Sequence, residues 1–251
     1  MAASCRAAPV SKSSLRITRE QLQRIRRRHL GYRITLVYEL LLLLLLPLAQ
    51  IASSLLSILL IGQALVFMVF VSRFSSLKRT RPVMYALGGT AIALEVIWHL
   101  ALIWNPALGR ALTLPHVMVW VIFLLVAVVR KVKSLMREPY VTISVVLGAA
   151  SGYLTVGIAG GVLLTAAWVL QPSAFIASAL PAVGHAGDLS VAVAPALMAA
   201  SFGLLTTVGT EVLNSSNVAV QVVSNVITIS GQLYVAILIA LILGRAQKRL
   251  S

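Results

Sequence analysis

Charge is scarce in this chain of 251 residues: 11% are Asp, Glu, Lys or Arg, while 59% are hydrophobic. Soluble domains carry about a quarter charged residues, and no polar stretch here is long enough to form a separate water-soluble body. Acidic groups are scarcer still, six against twenty-one Lys and Arg, which leaves a formal net charge of +15. The single cysteine, Cys5, excludes an intrachain disulfide and a cysteine-based metal cluster. Also missing are a His/Asp/Glu metal set, a placeable nucleophile–base pair and a glycine-rich phosphate loop, so the chain does not read as an enzyme and calls for no cofactor. The basic residues are not interleaved with aromatics, and nucleic acid is not an expected partner despite the charge.

What is present is apolar sequence in blocks of about 20 residues or more, the length that crosses a hydrocarbon core ~30 Å thick. The first block, residues 34–74, is about 60 Å long as one helix and must fold back. Pro47, Gln50, Ser53 and Ser54 interrupt its leucines, placing a turn between Pro47 and Ser54 and spans at 33–49 and 53–74. Further spans are expected at 82–104, 112–129, 141–170 and 218–243.

Basic residues test that division. Nine precede the first span, from Arg6 to Arg33, and four (Arg73, Lys78, Arg79, Arg81) follow the second. Four more (Arg130, Lys131, Lys133, Arg137) follow the fourth, and Arg245, Lys248 and Arg249 follow the last. These alternate segments hold all the Lys and Arg except Arg110. The positive-inside rule then gives six crossings with both termini cytoplasmic, in a multi-pass protein of the cell (inner or plasma) membrane whose lipid bilayer is its first partner. The basic, Ser-rich residues 1–33 read as a cytoplasmic tail before a retained anchor, not a cleaved signal.

Residues 171–217 do not fit a simple loop. They contain no Lys or Arg and open with Pro172, Pro181, Gly184, His185, Gly187 and Asp188. A short apolar run at 193–205 follows, ~20 Å of helix, too short to span and suited to a re-entrant segment. Pro195 suits its first turn.

After that run the chain reads Thr206-Thr207-Val208-Gly209-Thr210-Glu211-Val212, and the last span carries Gly231-Gln232-Leu233-Tyr234-Val235-Ala236-Ile237-Leu238-Ile239. The order of outer helix, short helix, T-T-V-G and inner helix resembles the pore domain of potassium channels. It looks most like small bacterial channels with a G-Q-L-Y inner helix. The resemblance covers residues 141–246; the preceding spans match in number and topology alone. It implies a homotetramer in which Thr207, Val208 and Gly209 present carbonyl rings to a permeant monovalent cation, K+, the only metal ion expected, with the Thr207 hydroxyl facing the cavity. The short helix would aim its negative end at that cation.

The family continues Y-G-D where this chain has Thr210, Glu211 and Val212. Matching the family's second glycine would force Glu211 into a left-handed conformation at about 1–2 kcal/mol. Four Glu211 carboxylates would form an acidic ring, with Asp188 the only other acid on that face, so altered or relaxed selectivity and sensitivity to divalent cations are expected.

Other residues have two readings. Gln221, Ser224, Asn225, Thr228 and Gln232 form one helical stripe, which lines a water-filled cavity or bonds neighbouring helices. Gly231 is a gating hinge or a close-packing site. Gly148, Gly152, Gly157 and Gly161 read as a packing face, and the Thr155-Val156-Gly157 triplet among them as a coincidence within a helix. Glu39 and Glu95 lie in apolar spans, where ionisable groups are functional or hydrogen-bonded in the bundle; His99, one turn after Glu95, is its expected proton partner, and His116 is expected to be solvated. No arginine lies between Arg110 and Arg130, which excludes an arginine-rich voltage sensor in the fourth span.

The sequence thus predicts an all-α polytopic membrane protein with six transmembrane helices plus a re-entrant pore helix and filter loop. Its segments are a tail at 1–33, a four-helix region at 34–137 and a pore domain at 138–251. The last comprises an outer helix at 141–170, a pore helix at 193–205, a filter at 206–212 and an inner helix at 218–243. The expected function is a tetrameric cation channel; the alternative is a non-conducting scaffold or partner subunit with the same fold.

Overall fold

A proline marks the first bend of the chain. In the computed structural model, which describes residues 19–52, 54–73, 81–138, 142–180, 189–214 and 216–247, α1 (Arg19–Leu44) and α2 (Leu46–Ile51) meet at Leu45. Pro47 lies in the first turn of α2, where its missing N–H costs no helix bond. The bonds Leu45 N–Leu41 O (3.0 Å) and Ala49 N–Leu45 O (2.9 Å) carry the backbone through the junction. The chain turns only after Ile51, at the far end of the expected window, and enters α3 (Leu55–Arg73).

Next come α4 (Arg81–Trp104), α5 (Pro106–Met136), α6 (Ile143–Leu170), α7 (Leu189–Leu205) and α8 (Val218–Gln247). Among the described residues the only β-pairing is an isolated bridge, Phe175–Leu213. Five helices, α3, α4, α5, α6 and α8, contain stretches long and apolar enough to cross a membrane. The chain is an all-helical, multi-pass membrane protein.

Two boundaries correct the sequence reading. The fourth span, expected at 112–129, is a 31-residue helix from Pro106 to Met136. The Asn105 side chain accepts from Leu108 N (3.3 Å) and Pro106 takes the first turn, so the helix starts early. At the other end Arg130, Lys131 and Lys133, expected in a loop, continue the helix, and Lys131 is buried in it. The short helix, expected from residue 193, starts at Leu189, so Pro195 sits in its interior and not in its first turn.

Helix α6 is the packing hub, in contact with α1, α5, α7 and α8. Its glycines permit this. A Cβ on Gly148 would meet the Tyr32 ring at 2.7 Å, and one on Gly161 the Met198 Cα at 2.7 Å. The glycines at 152 and 157 face Tyr234 and Phe202 in the same way, so the close-packing reading holds, with partners on three different helices. One buried apolar cluster joins Tyr32, Phe67, Trp120, Phe123, Ile158 and Met198. Helix α8 lies outside most of it: 17% of its apolar stretch is buried, against 56% for α6, and this difference places α8 at the periphery of a single chain.

Candidate functional site

The end of α7 is the most specific piece of backbone in the molecule. The last four carbonyls of a helix have no intrahelical partner, and here each of them finds one. Thr206 N donates to Phe202 O (3.0 Å), Gly209 N to Gly203 O (3.0 Å) and Thr207 N to Leu204 O (3.1 Å). The Thr228 hydroxyl of α8 also donates to Leu204 O (3.1 Å), and the Tyr153 hydroxyl of α6 donates to Leu205 O (3.1 Å). Two residues in the loop are left-handed, Thr207 (φ 64°) and Gly209 (φ 89°). The expected strain at Glu211 is therefore absent and falls on Thr207, because the chain must reverse immediately after the helix to bring Gly209 back onto Gly203. A side chain on Gly203 would collide with the Gly209 carbonyl.

The loop then travels back to the end of α6. Ile176 N donates to Val212 O (2.8 Å), and Asn214 N donates to Ala174 O (3.0 Å). Tyr153 lies seventeen residues before Leu170, the end of α6, a distance of about 25 Å along a helix. Thr228 lies ten residues into α8, about 15 Å. The turn between Leu205 and Thr210 thus sits deep between α6 and α8, while both of its connections lie at one end of those helices.

Along this turn Thr206, Thr207, Val208, Gly209 and Glu211 are exposed, Val208 by 85%, and Thr210 is half-buried with its hydroxyl accepting from Val212 N (3.3 Å). The Thr207 hydroxyl donates to Thr206 O (2.6 Å), and that of Thr206 to Phe202 O (2.8 Å). On α8 the polar stripe divides. Gln221, Asn225 and Gln232 are exposed on a helix whose other exposed residues include Val222, Val226 and Ile229. Ser224 and Thr228 are half-buried. Gly231 packs on Leu205: a Cβ there would meet its Cδ1 at 2.7 Å and its carbonyl at 2.9 Å. Asp188, expected on the same face, lies outside the described residues.

Two buried polar clusters form around Glu39 and Glu95, the acids singled out in the sequence, with main partners the sequence did not indicate. In the first, the Lys131 ammonium donates to Glu39 Oε1 (2.6 Å), Ser151 Oγ (2.6 Å) and Thr155 Oγ1 (2.8 Å), and lies 4.7 Å from the centre of the Phe67 ring. The hydroxyl of Ser151 donates to Glu39 Oε2 (2.6 Å), and Gln63 Nε2 to Glu39 Oε1 (3.1 Å). Glu39 is thus paired with a residue expected in a loop, and the Thr155-Val156-Gly157 triplet, helical as expected, has its threonine in this network. The only available signal was an acid and a base each adjoining apolar runs.

In the second cluster the closer partner of Glu95 is His116, while the side chain of His99, its expected partner, lies 3.7 Å from Glu95 Oε1. His116 Nε2 lies 2.5 Å from Glu95 Oε2, and Trp120 Nε1 donates to the same oxygen (2.7 Å). His99 Nδ1 meets the Glu95 backbone carbonyl (3.1 Å). His116 is 6% exposed, which corrects the expectation of solvation; it stacks on Trp98 with ring centres 4.7 Å apart and planes 8° from parallel. The early start of α5 carries His116 down into the bundle.

Among the described residues no three His, Cys, Asp or Glu side chains gather where they could hold a metal ion. The fold and these sites define a helical membrane protein with a hairpin loop lodged between two long helices. No family model, curated protein or solved structure matches the chain.

Proposed function

We propose that the chain is one subunit of a homotetrameric cation channel in which Thr206–Glu211 lines the ion path. Counting α1 with α2 as the first crossing gives six spans, with α7 and its loop as a re-entrant segment and both termini in the cytoplasm. The observation that carries this reading is the placement of the exposed turn at Thr206–Gly209 deep between α6 and α8, beside the exposed Gln221, Asn225 and Gln232. Polar backbone at membrane depth is tolerated where protein shields it or water meets it. One chain leaves this face open; symmetric copies would close it around an axis. The G-Q-L-Y resemblance supports the same arrangement and K+ as the permeant ion, with selectivity relaxed by Thr210 and Glu211.

One observation favours a second reading, a non-conducting scaffold or partner subunit. All four terminal carbonyls of α7 are capped within the chain, and the Thr207 hydroxyl turns to its own backbone. Cation flux from liposomes separates the two. Flux whose selectivity changes with Glu211→Gln supports the channel. Absent flux, or flux indifferent to disruption of Thr207 and Gly209, supports the scaffold.

A further inference from the structure

The Glu95–His116 pair borders a cavity of about 50 Å³ where five helices meet. Ser57 of α3, Glu95 of α4, His116 of α5, Thr165 of α6, and Ala194 and Met198 of α7 all reach it. The walls are mainly apolar. The polar groups on them are largely engaged: Trp120 Nε1 donates to Glu95, and the Thr165 hydroxyl donates to Gly161 O (2.9 Å). The exception is His116 Nδ1, buried and without a hydrogen-bond partner among the described residues. A buried polar atom left unpaired is destabilising, so a molecule that enters and bonds to it removes that penalty.

We infer that this cavity is a binding site for a small neutral amphiphile with one hydroxyl group, of the class of the short primary alcohols. Size, polarity and protonation each narrow the choice. An engineered apolar cavity of roughly 150 Å³ holds benzene, six non-hydrogen atoms; one-third of that volume holds about two or three. The apolar walls suit an alkyl group, and water alone would leave them unfilled. With Nε2 turned to Glu95 Oε2, Nδ1 is a donor when the imidazole is charged and an acceptor when it is neutral with its proton on Nε2. A hydroxyl both donates and accepts, so it satisfies Nδ1 in either state; a carbonyl, which only accepts, or an ammonium, which only donates, satisfies one. Because Ala194 and Met198 form one wall, the ligand would bear directly on α7, the helix that ends at Leu205.

The test needs no ion flux, so its failure leaves the channel reading untouched. The full chain in nanodiscs is titrated with methanol, ethanol and the 1-alkanols up to hexanol, and its tryptophan emission and melting temperature are followed. Trp98 and Trp120 line the cavity. A saturable response is expected, strongest at two or three carbons and at least tenfold weaker at hexanol. Ala194→Leu fills the cavity from α7 without touching the Glu95–His116 pair and should weaken the response at least tenfold; Val162→Met does the same from α6. A response that grows about fourfold with each added CH2, as partitioning into lipid does, overturns the proposal. So does an unchanged response in either folded variant. If neither variant folds, the chain-length series in the unaltered protein decides alone.

Discussion

Lys131 and Glu39, separated by 92 positions in sequence, meet through a 2.6 Å contact between Nζ and Oε1, with both side chains almost wholly buried. This contact ties α1 to α5 and, through Ser151 and Thr155, to α6. Breaking a buried pair from one side leaves an uncompensated charge and costs about 3–5 kcal/mol. Lys131→Met or Glu39→Leu alone should lower the unfolding free energy by that order. The double variant should recover most of the loss. Denaturant unfolding in micelles, followed by circular dichroism, measures all three.

The turn after α7 predicts an unequal response at two glycines. Gly203→Ala drives a methyl into the Gly209 carbonyl and should destabilise the loop by about 1–3 kcal/mol. A Cβ on Gly209 would meet nothing within 4 Å, so Gly209→Ala suffers only from its left-handed backbone, about 1–2 kcal/mol. Hydrogen exchange at Thr206–Gly209 should rise more in the first variant than in the second.

Thr207 carries the strain expected at Glu211. Thr207→Gly removes about 1 kcal/mol of backbone strain and should raise the melting temperature slightly. Equal melting in the two proteins would place the left-handed turn outside the folded state in solution. If the loop lines an ion path, the same substitution should alter flux while leaving assembly intact.

The exposed stripe on α8 gives a direct test of assembly. Asn225→Cys in a Cys5→Ser background places one thiol per chain on the face proposed to meet its copies. Short bifunctional thiol reagents should yield crosslinked ladders up to four chains on a denaturing gel. A cysteine at Ile103, exposed on α4, should yield far less.

Glu95 accepts a hydrogen bond from Trp120 and pairs with His116. Trp120→Phe removes one of those bonds and keeps most of the ring; a hydrogen bond to a charged group is worth about 1.5–3 kcal/mol. The variant should melt lower by that order. His99→Gln, which removes a hydrogen bond to the Glu95 backbone carbonyl and a looser, half-exposed 3.7 Å contact with Glu95 Oε1, should change stability by less than about 1 kcal/mol.

Much of the helical frame was legible in the sequence because bilayer length and apolar runs share one scale, about twenty residues. That scale placed α3, α4, α6 and α8 within a few residues of where they stand. It misjudged α5, since a basic cluster usually marks a loop, whereas Lys131 lies buried within the helix with its ammonium on Glu39, Ser151 and Thr155. Pro195 likewise looked like a helix start, because in isolation a proline interior to a helix is unfavourable.

By itself, then, the order of residues determined that this chain is helical, that its helices belong in lipid, and where T-T-V-G and G-Q-L-Y fall along it, since local hydropathy and backbone chemistry fix those properties. Tertiary structure alone decided which charges meet. Glu39 with Lys131, Glu95 with His116, and the capped turn at Thr206–Gly209 all join side chains or backbone from helices whose relative positions no local pattern encodes.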